Sequence, residues 1–170
     1  MKKYEFTGEV KVVFGITLHR IRASVSFGVV VKGELGGWIE KEENLSQNGN
    51  AWVYGNALVY GNAEVCGNAK VYGNAKVCGN AKVYGNAKVH GNAEVCDNAL
   101  VHGNADYIVF KNWWSSGRWF TWTRSNNKWR VGCFFGTGAE LIAKAYKDSE
   151  KSGREYERVV KYVESILNEQ

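Results

Sequence analysis

The fold is decided by Ala51-Trp52-Val53-Tyr54-Gly55-Asn56-Ala57-Leu58-Val59-Tyr60-Gly61-Asn62, whose six-residue unit Ala-x-Val-x-Gly-Asn runs on to residue 106. Alanine recurs from Ala51 to Ala105 and valine from Val53 to Val101, and Gly-Asn closes each unit except where Asp97 replaces glycine. Self-similarity at a fixed period marks a repeat architecture. Ala and Val are two apart and share one face of an extended strand, while the residues flanking Val point the other way. Those flanking residues are Lys, Glu, Trp or Leu on one side and Tyr, Cys or His on the other, an apolar-in, polar-out alternation. Gly-Asn is a turn dipeptide, so each unit reads as a very short strand followed by a corner. Two-residue strands give a hairpin meander little to pair with. A coil that advances one strand layer per turn satisfies the backbone between layers, and small Ala beside larger Val suits its narrow interior.

This pattern resembles the hexapeptide-repeat family over roughly residues 35 to 106. The resemblance implies a left-handed parallel β-helix, three-sided, with 18 residues per turn and Val and Ala inward. A period of 18 would stack Tyr54, Tyr72 and His90 on one face, Tyr60, Cys78 and Cys96 on the next, and Cys66, Tyr84 and His102 on the third. In the other outward slot, Trp52, Lys70 and Lys88 would stack, as would Leu58, Lys76 and Glu94. The uninterrupted repeat reads as a three-turn coil over residues 48–106. A coil end exposes apolar interior and unpaired backbone, so residues 1–47 are assigned to an N-terminal β cap, with strands over 9–14 and 16–25.

A narrower resemblance rests on Leu18-His19-Arg20-Ile21-Arg22-Ala23, Leu35-Gly36-Gly37-Trp38-Ile39-Glu40, Asn44-Leu45-Ser46 and Gly49-Asn50-Ala51-Trp52-Val53. These stretches are similar to small hexapeptide-repeat proteins of bacteriophages, prophages and bacterial genomes, often labelled acyltransferase or polymer-forming protein.

Composition changes sharply after Asp106. Residues 107–139 contain no acidic side chain, but they hold Lys111, Arg118, Arg124, Lys128 and Arg130 and five of the seven tryptophans. Three strands are expected, over 107–111, 118–124 and 128–135, with turns at Ser115-Ser116-Gly117 and Ser125-Asn126-Asn127. Thr137-x-x-Glu140 and Ser152-x-x-Glu155 read as capping boxes of two amphipathic helices. The expected fold is therefore mainly β: a left-handed parallel β-helix, an N-terminal β cap, and a small C-terminal α+β domain at 107–170, a three-stranded antiparallel sheet with two helices.

At 45% hydrophobic and 23% charged residues the chain reads as folded, and no apolar run approaches a membrane span. No apolar stretch follows Lys2-Lys3, so no signal peptide and a cytoplasmic location in the bacterial host are expected. The four cysteines form no CxxC pair, and no metal site or cofactor is expected. The functional signal is the basic, tryptophan-rich stretch, because aromatic planes stack on bases and arginines pair with phosphates. Arg118, Trp119, Trp122, Arg124, Lys128, Trp129 and Arg130 are the candidate ligand-binding residues. The reading that follows is a non-catalytic protein whose β-helix scaffold presents this domain to a nucleotide or a host protein. By the phage resemblance it would serve in anti-defence, assembled as a homo-trimer. The family's acyltransferases place a catalytic histidine at a subunit interface, which makes His90 and His102 the alternative site. No loop interrupts the repeat to shape an acceptor pocket, and no carboxylate adjoins either histidine in sequence. A structural, polymer-forming role is the third reading.

Overall fold

The computed structural model describes residues 1–169. The repeat forms a parallel β-solenoid of two-residue strands. One side is built by β5 (Leu58–Val59), β8 (Lys76–Val77) and β11 (Glu94–Val95). The second is built by β6 (Glu64–Val65), β9 (Lys82–Val83) and β12 (Leu100–Val101), and the third by β4 (Trp52–Val53), β7 (Lys70–Val71) and β10 (Lys88–Val89). Every pairing joins residues 18 apart, such as Val53 with Val71, so the three-sided register expected from the repeat is present. The alanines from Ala51 to Ala99 and the valines are fully buried inside. Eight corner glycines between Gly49 and Gly91 adopt positive φ, and Asp97 takes φ 61° in the one corner without glycine.

The coil is one turn longer than the repeat announces. β1 (Tyr4–Val13) and β2 (Ile16–Ala23) form an antiparallel hairpin, and β3 (Leu35–Ile39) pairs antiparallel with β2 and parallel with β5. Leu45 bridges to Val65. Residues 35–45 thus supply two sides of an extra first turn without keeping the hexapeptide text. Close approach explains the Gly36-Gly37 pair: a Cβ on Gly37 would lie 2.7 Å from Val53 Cγ1 and 2.8 Å from the Ala57 carbonyl oxygen.

Backbone N–H groups in the solenoid donate to the turn that follows, as Tyr54 N does to Val71 O. The first turn is therefore left with free carbonyls and the last with free N–H groups, and the chain closes each end with the matching chemistry. At the first end the side chains donate: Lys3 Nζ to Ala51 O (2.9 Å) and Asn44 Nδ2 to Gly61 O and Ala63 O. At the last end they accept: Asn104 Oδ1 from Lys88 N, Thr121 Oγ1 from Glu94 N, Ser125 Oγ from Leu100 N, and Asp106 Oδ2 from His102 N and Gly103 N. Asp106 is thus the residue that ends the repeat.

Lys3 is buried over the Phe27 ring, and burial pushes its ammonium down to about 8. The unfolded chain, near 10.5, keeps the proton that the folded chain sheds, so stability rises with pH above about 8. Above pH 10 the buried Tyr4, whose phenol is pushed upward by burial and Glu42, works in the opposite direction. Urea midpoints are expected to increase between pH 7.5 and about 9.5 more for the parent protein than for Lys3→Met.

The C-terminal domain has four strands, not three. They are β13 (Tyr107–Lys111), β14 (Trp119–Thr123), β15 (Lys128–Val131) and β16 (Phe134–Gly136), joined antiparallel in that order. The expected single strand over 128–135 folds back at Gly132-Cys133. Gly132 (φ 56°) opens a two-residue hairpin turn and brings Val131 opposite Phe134. Helices α1 (Gly138–Asp148) and α2 (Glu150–Asn168) cover one face of the sheet. Thr137 caps α1 as the sequence predicts, its Oγ1 accepting from Glu140 N and its own N–H donating to Glu140 Oε2. α2 starts a turn earlier than the Ser152 box implies. Ser149 is both the end of α1 and the cap of α2, and Ser152 is buried within the helix. The two helices meet at Gly153, where a Cβ would fall within 2.5 Å of the Tyr146 ring.

Candidate functional site

Alternation along β14 divides the sheet as the sequence implies. Phe120 and Trp122 enter the core under the helices, while Thr121 faces the solenoid and accepts from Glu94. This separates the basic-aromatic residues into groups with different work. Trp122 and Trp129 lie opposite each other in register and are buried with Phe120, Tyr156 and Val160. Trp122 Nε1 donates to Asn127 Oδ1 at 2.8 Å, which ties the β14–β15 turn to the core. Arg130 sits across the sheet on the solenoid side, 3.7 Å from Glu94 and 4.0 Å from Asp97. The acidic partners absent from residues 107–139 are supplied here by the last turn of the coil. Lys128 is half-buried beside the turn that Asn126 organises, and Arg124 borders Trp122, Ile166 and Leu167 at the far end of α2.

Arg118 and Trp119 remain together at the surface. Trp119 is 42% exposed, and the Lys111 ammonium lies 5.7 Å from its ring centre. Arg118 runs along Gly132 and forms part of a cleft of about 420 Å³ between the sheet and the junction of the helices. Ser115, Ser116 and Arg118 come from the β13–β14 loop, Lys144 and Asp148 from α1, and Ser149, Ser152 and Tyr156 from α2. The floor is polar and buried. Asn112 donates to the Tyr156 hydroxyl (3.3 Å) and accepts from the Ser115 N–H and hydroxyl, which holds the 112–118 loop in place. Burial pushes the Tyr156 phenol up, with Asn112 and Arg118 opposing. Among the described residues, neither Arg118 nor Lys144 has a carboxylate within ion-pair distance. The start of α2 and the end of α1 meet at the same cleft, so the partial charges of the two helix termini oppose each other there. Lys144, Ser149 and Tyr156 were absent from the sequence-level candidates. They sit on two helices whose junction the sequence misplaces by a turn.

His90 stacks on Tyr72 (5.1 Å, 12° between planes), and His102 lies tilted against Tyr84 (4.9 Å). Two of the three aromatic rungs expected from the 18-residue period are therefore in ring contact, while Tyr54 meets Trp52 edge-on at 6.5 Å. Among the described residues neither imidazole has a hydrogen-bonded carboxylate, and no group of three His, Cys, Asp or Glu side chains could hold a metal ion. The same period brings Cys78 and Cys96 to a Cα separation of 4.5 Å, where they are joined by a disulfide; Cys66 and Cys133 are free. Two cysteines 18 residues apart in one outward slot were the sequence signal for that bond. Among the described residues, no helix is long and apolar enough to cross a membrane.

Comparison with protein families gives a match between residues 51–67 and the YdcK Beta solenoid repeat. No curated protein matches the chain. The matched segment holds the end of the first turn and the start of the second, and the register above carries the same architecture through β11 and β12. By sequence repeat and by structure, this chain is a β-solenoid repeat protein carrying a four-stranded α+β domain.

Proposed function

We propose that the protein is a non-catalytic binding protein, in which a left-handed solenoid with an N-terminal β cap carries a C-terminal domain that binds a phosphate-bearing small molecule of the nucleotide class. The observation that carries this reading is the cleft at the α1–α2 junction, where two uncompensated cations, Arg118 and Lys144, converge with four serines, Asn112 and the Tyr156 hydroxyl. Its volume lies in the range of small-molecule sites, about 300–1,000 Å³. Arginine and lysine side chains suit a phosphate, and the hydroxyls suit a sugar or the remaining phosphate oxygens. Asp148 on the rim sets a limit, since it favours a ligand whose negative charge is confined to the Arg118–Lys144 side. With the phage resemblance, the reading extends to sequestration of a nucleotide signal in anti-defence, and with the family's habit, to a trimer.

The test is tryptophan fluorescence of the purified protein against mono-, di- and cyclic nucleotides. One class is expected to quench saturably. Arg118→Ala and Lys144→Ala are each expected to weaken it by about tenfold or more, the worth of one charge-assisted hydrogen bond, with thermal stability kept. Silence across the panel, or an affinity indifferent to both substitutions, overturns the reading.

A further inference from the structure

The three sides of the solenoid differ in how they treat their lysines. On the side of β5, β8 and β11, Lys76 Nζ reaches Glu94 Oε1 one turn away, at 2.9 Å. On the side of β6, β9 and β12, Lys82 Nζ lies 3.5 Å from Glu64 Oε2. On the side of β4, β7 and β10, Lys70 stands directly opposite Lys88 in register, and among the described residues neither has an acidic partner. Like charges directly opposite on a ladder are unfavourable, and a glutamate at either position would give the pairing seen on the other two sides. The stability of the coil therefore does not account for this pair.

What surrounds it is aromatic. The neighbouring row on the same side is Tyr54, Tyr72 and His90, and the lysines and tyrosines together line a shallow depression of about 370 Å³. A second depression, of about 450 Å³, takes over at His90 and ends against Trp119, whose exposed ring has the Lys111 ammonium nearby. The strip runs along the coil axis for about three strand layers, about 14 Å.

We infer that this side of the solenoid is a binding strip for single-stranded nucleic acid. Single-file cations spaced along an axis track a phosphate backbone, and the half-exposed tyrosines beside them and the exposed His90 and Trp119 rings beyond them receive bases. A sulfated polysaccharide would engage the cations alone. The strip shares no lining residue with the Arg118–Lys144 cleft, and the inference stands independently of the nucleotide reading.

Fluorescence anisotropy of a labelled ten-residue oligothymidine with the full chain tests it. Saturable binding is expected at low salt, with log affinity falling against log salt at a slope of about −2 for three cations on a single strand. Lys88→Glu is expected to weaken binding by at least about tenfold, since it both removes a phosphate contact and adds a repulsion. The melting temperature should hold or rise, because the stacked pair becomes Lys–Glu. Trp119→Ala is expected to weaken binding as well, while Lys82→Gln leaves it unchanged. Absence of binding, indifference to Lys88→Glu, or equal competition by heparin combined with indifference to Trp119→Ala overturns the inference.

Discussion

Trp52→Ala is expected to lower the unfolding free energy by about 3–5 kcal/mol, the usual cost of truncating a buried tryptophan. Trp52 sits in the outward slot of the repeat, where Lys70 and Lys88 are placed one and two turns later, yet it is fully buried. The N-terminal segment makes the difference. Tyr4 meets the indole edge-on at 6.2 Å and Phe27 at 5.4 Å, and Tyr4 in turn donates its hydroxyl to the Leu45 carbonyl. Removing the indole opens a cavity at the joint between the hairpin and the first full repeat. The Nε1 group contributes nothing to that joint, because it is buried without a hydrogen-bond partner. Trp52→Phe, which removes the stranded donor while retaining most of the ring, is therefore expected to cost less than about 1.5 kcal/mol. Urea unfolding of both variants checks the pair. A loss as large in Trp52→Phe as in Trp52→Ala would contradict this account of the joint.

Trp122→Ala is the second large effect, also about 3–5 kcal/mol, and it is informative beside Trp119→Ala, which is expected to stay within about 0.5 kcal/mol of the parent. The residues are three apart on opposite faces of one strand. Trp122 fills the space between β14 and the helices and anchors Asn127, whereas Trp119 leaves much of its ring in solvent. Guanidinium denaturation, followed through loss of helix signal, separates them. Had Trp122 served as a stacking surface for a ligand, its truncation would spare the fold and impair binding, the opposite of the expected pattern.

The contrast between these two tryptophans shows where sequence reading succeeds and where it stops. Strand alternation assigns residues to faces, and it grouped Phe120 with Trp122 and Thr121 with Thr123 in agreement with the structure. It does not say which face meets helices and which meets the coil. Only docking decides that, and docking turned Arg130 into a partner of Glu94 and Asp97 and turned Thr121 and Ser125 into acceptors for the last turn. The cleft has the same origin. Its cations come from residues 118 and 144, on a loop and a helix that composition alone does not relate.

The hexapeptide text by itself determined the short strands, their corners and the inward Ala-Val pair, while the 18-residue turn and its vertical stacks followed from the resemblance to the hexapeptide-repeat family and are present in the register. The reason is local: each turn repeats the same strand, corner and inward pair, so one unit read correctly implies the next. The N-terminal turn, the Gly132 hairpin, the α1–α2 junction and the convergence of Arg118 with Lys144 depended on contacts between segments with no shared period. Those contacts are selected by shape and by unsatisfied backbone at the coil ends. These are properties of the folded surface, and they come into being only once the coil has been built.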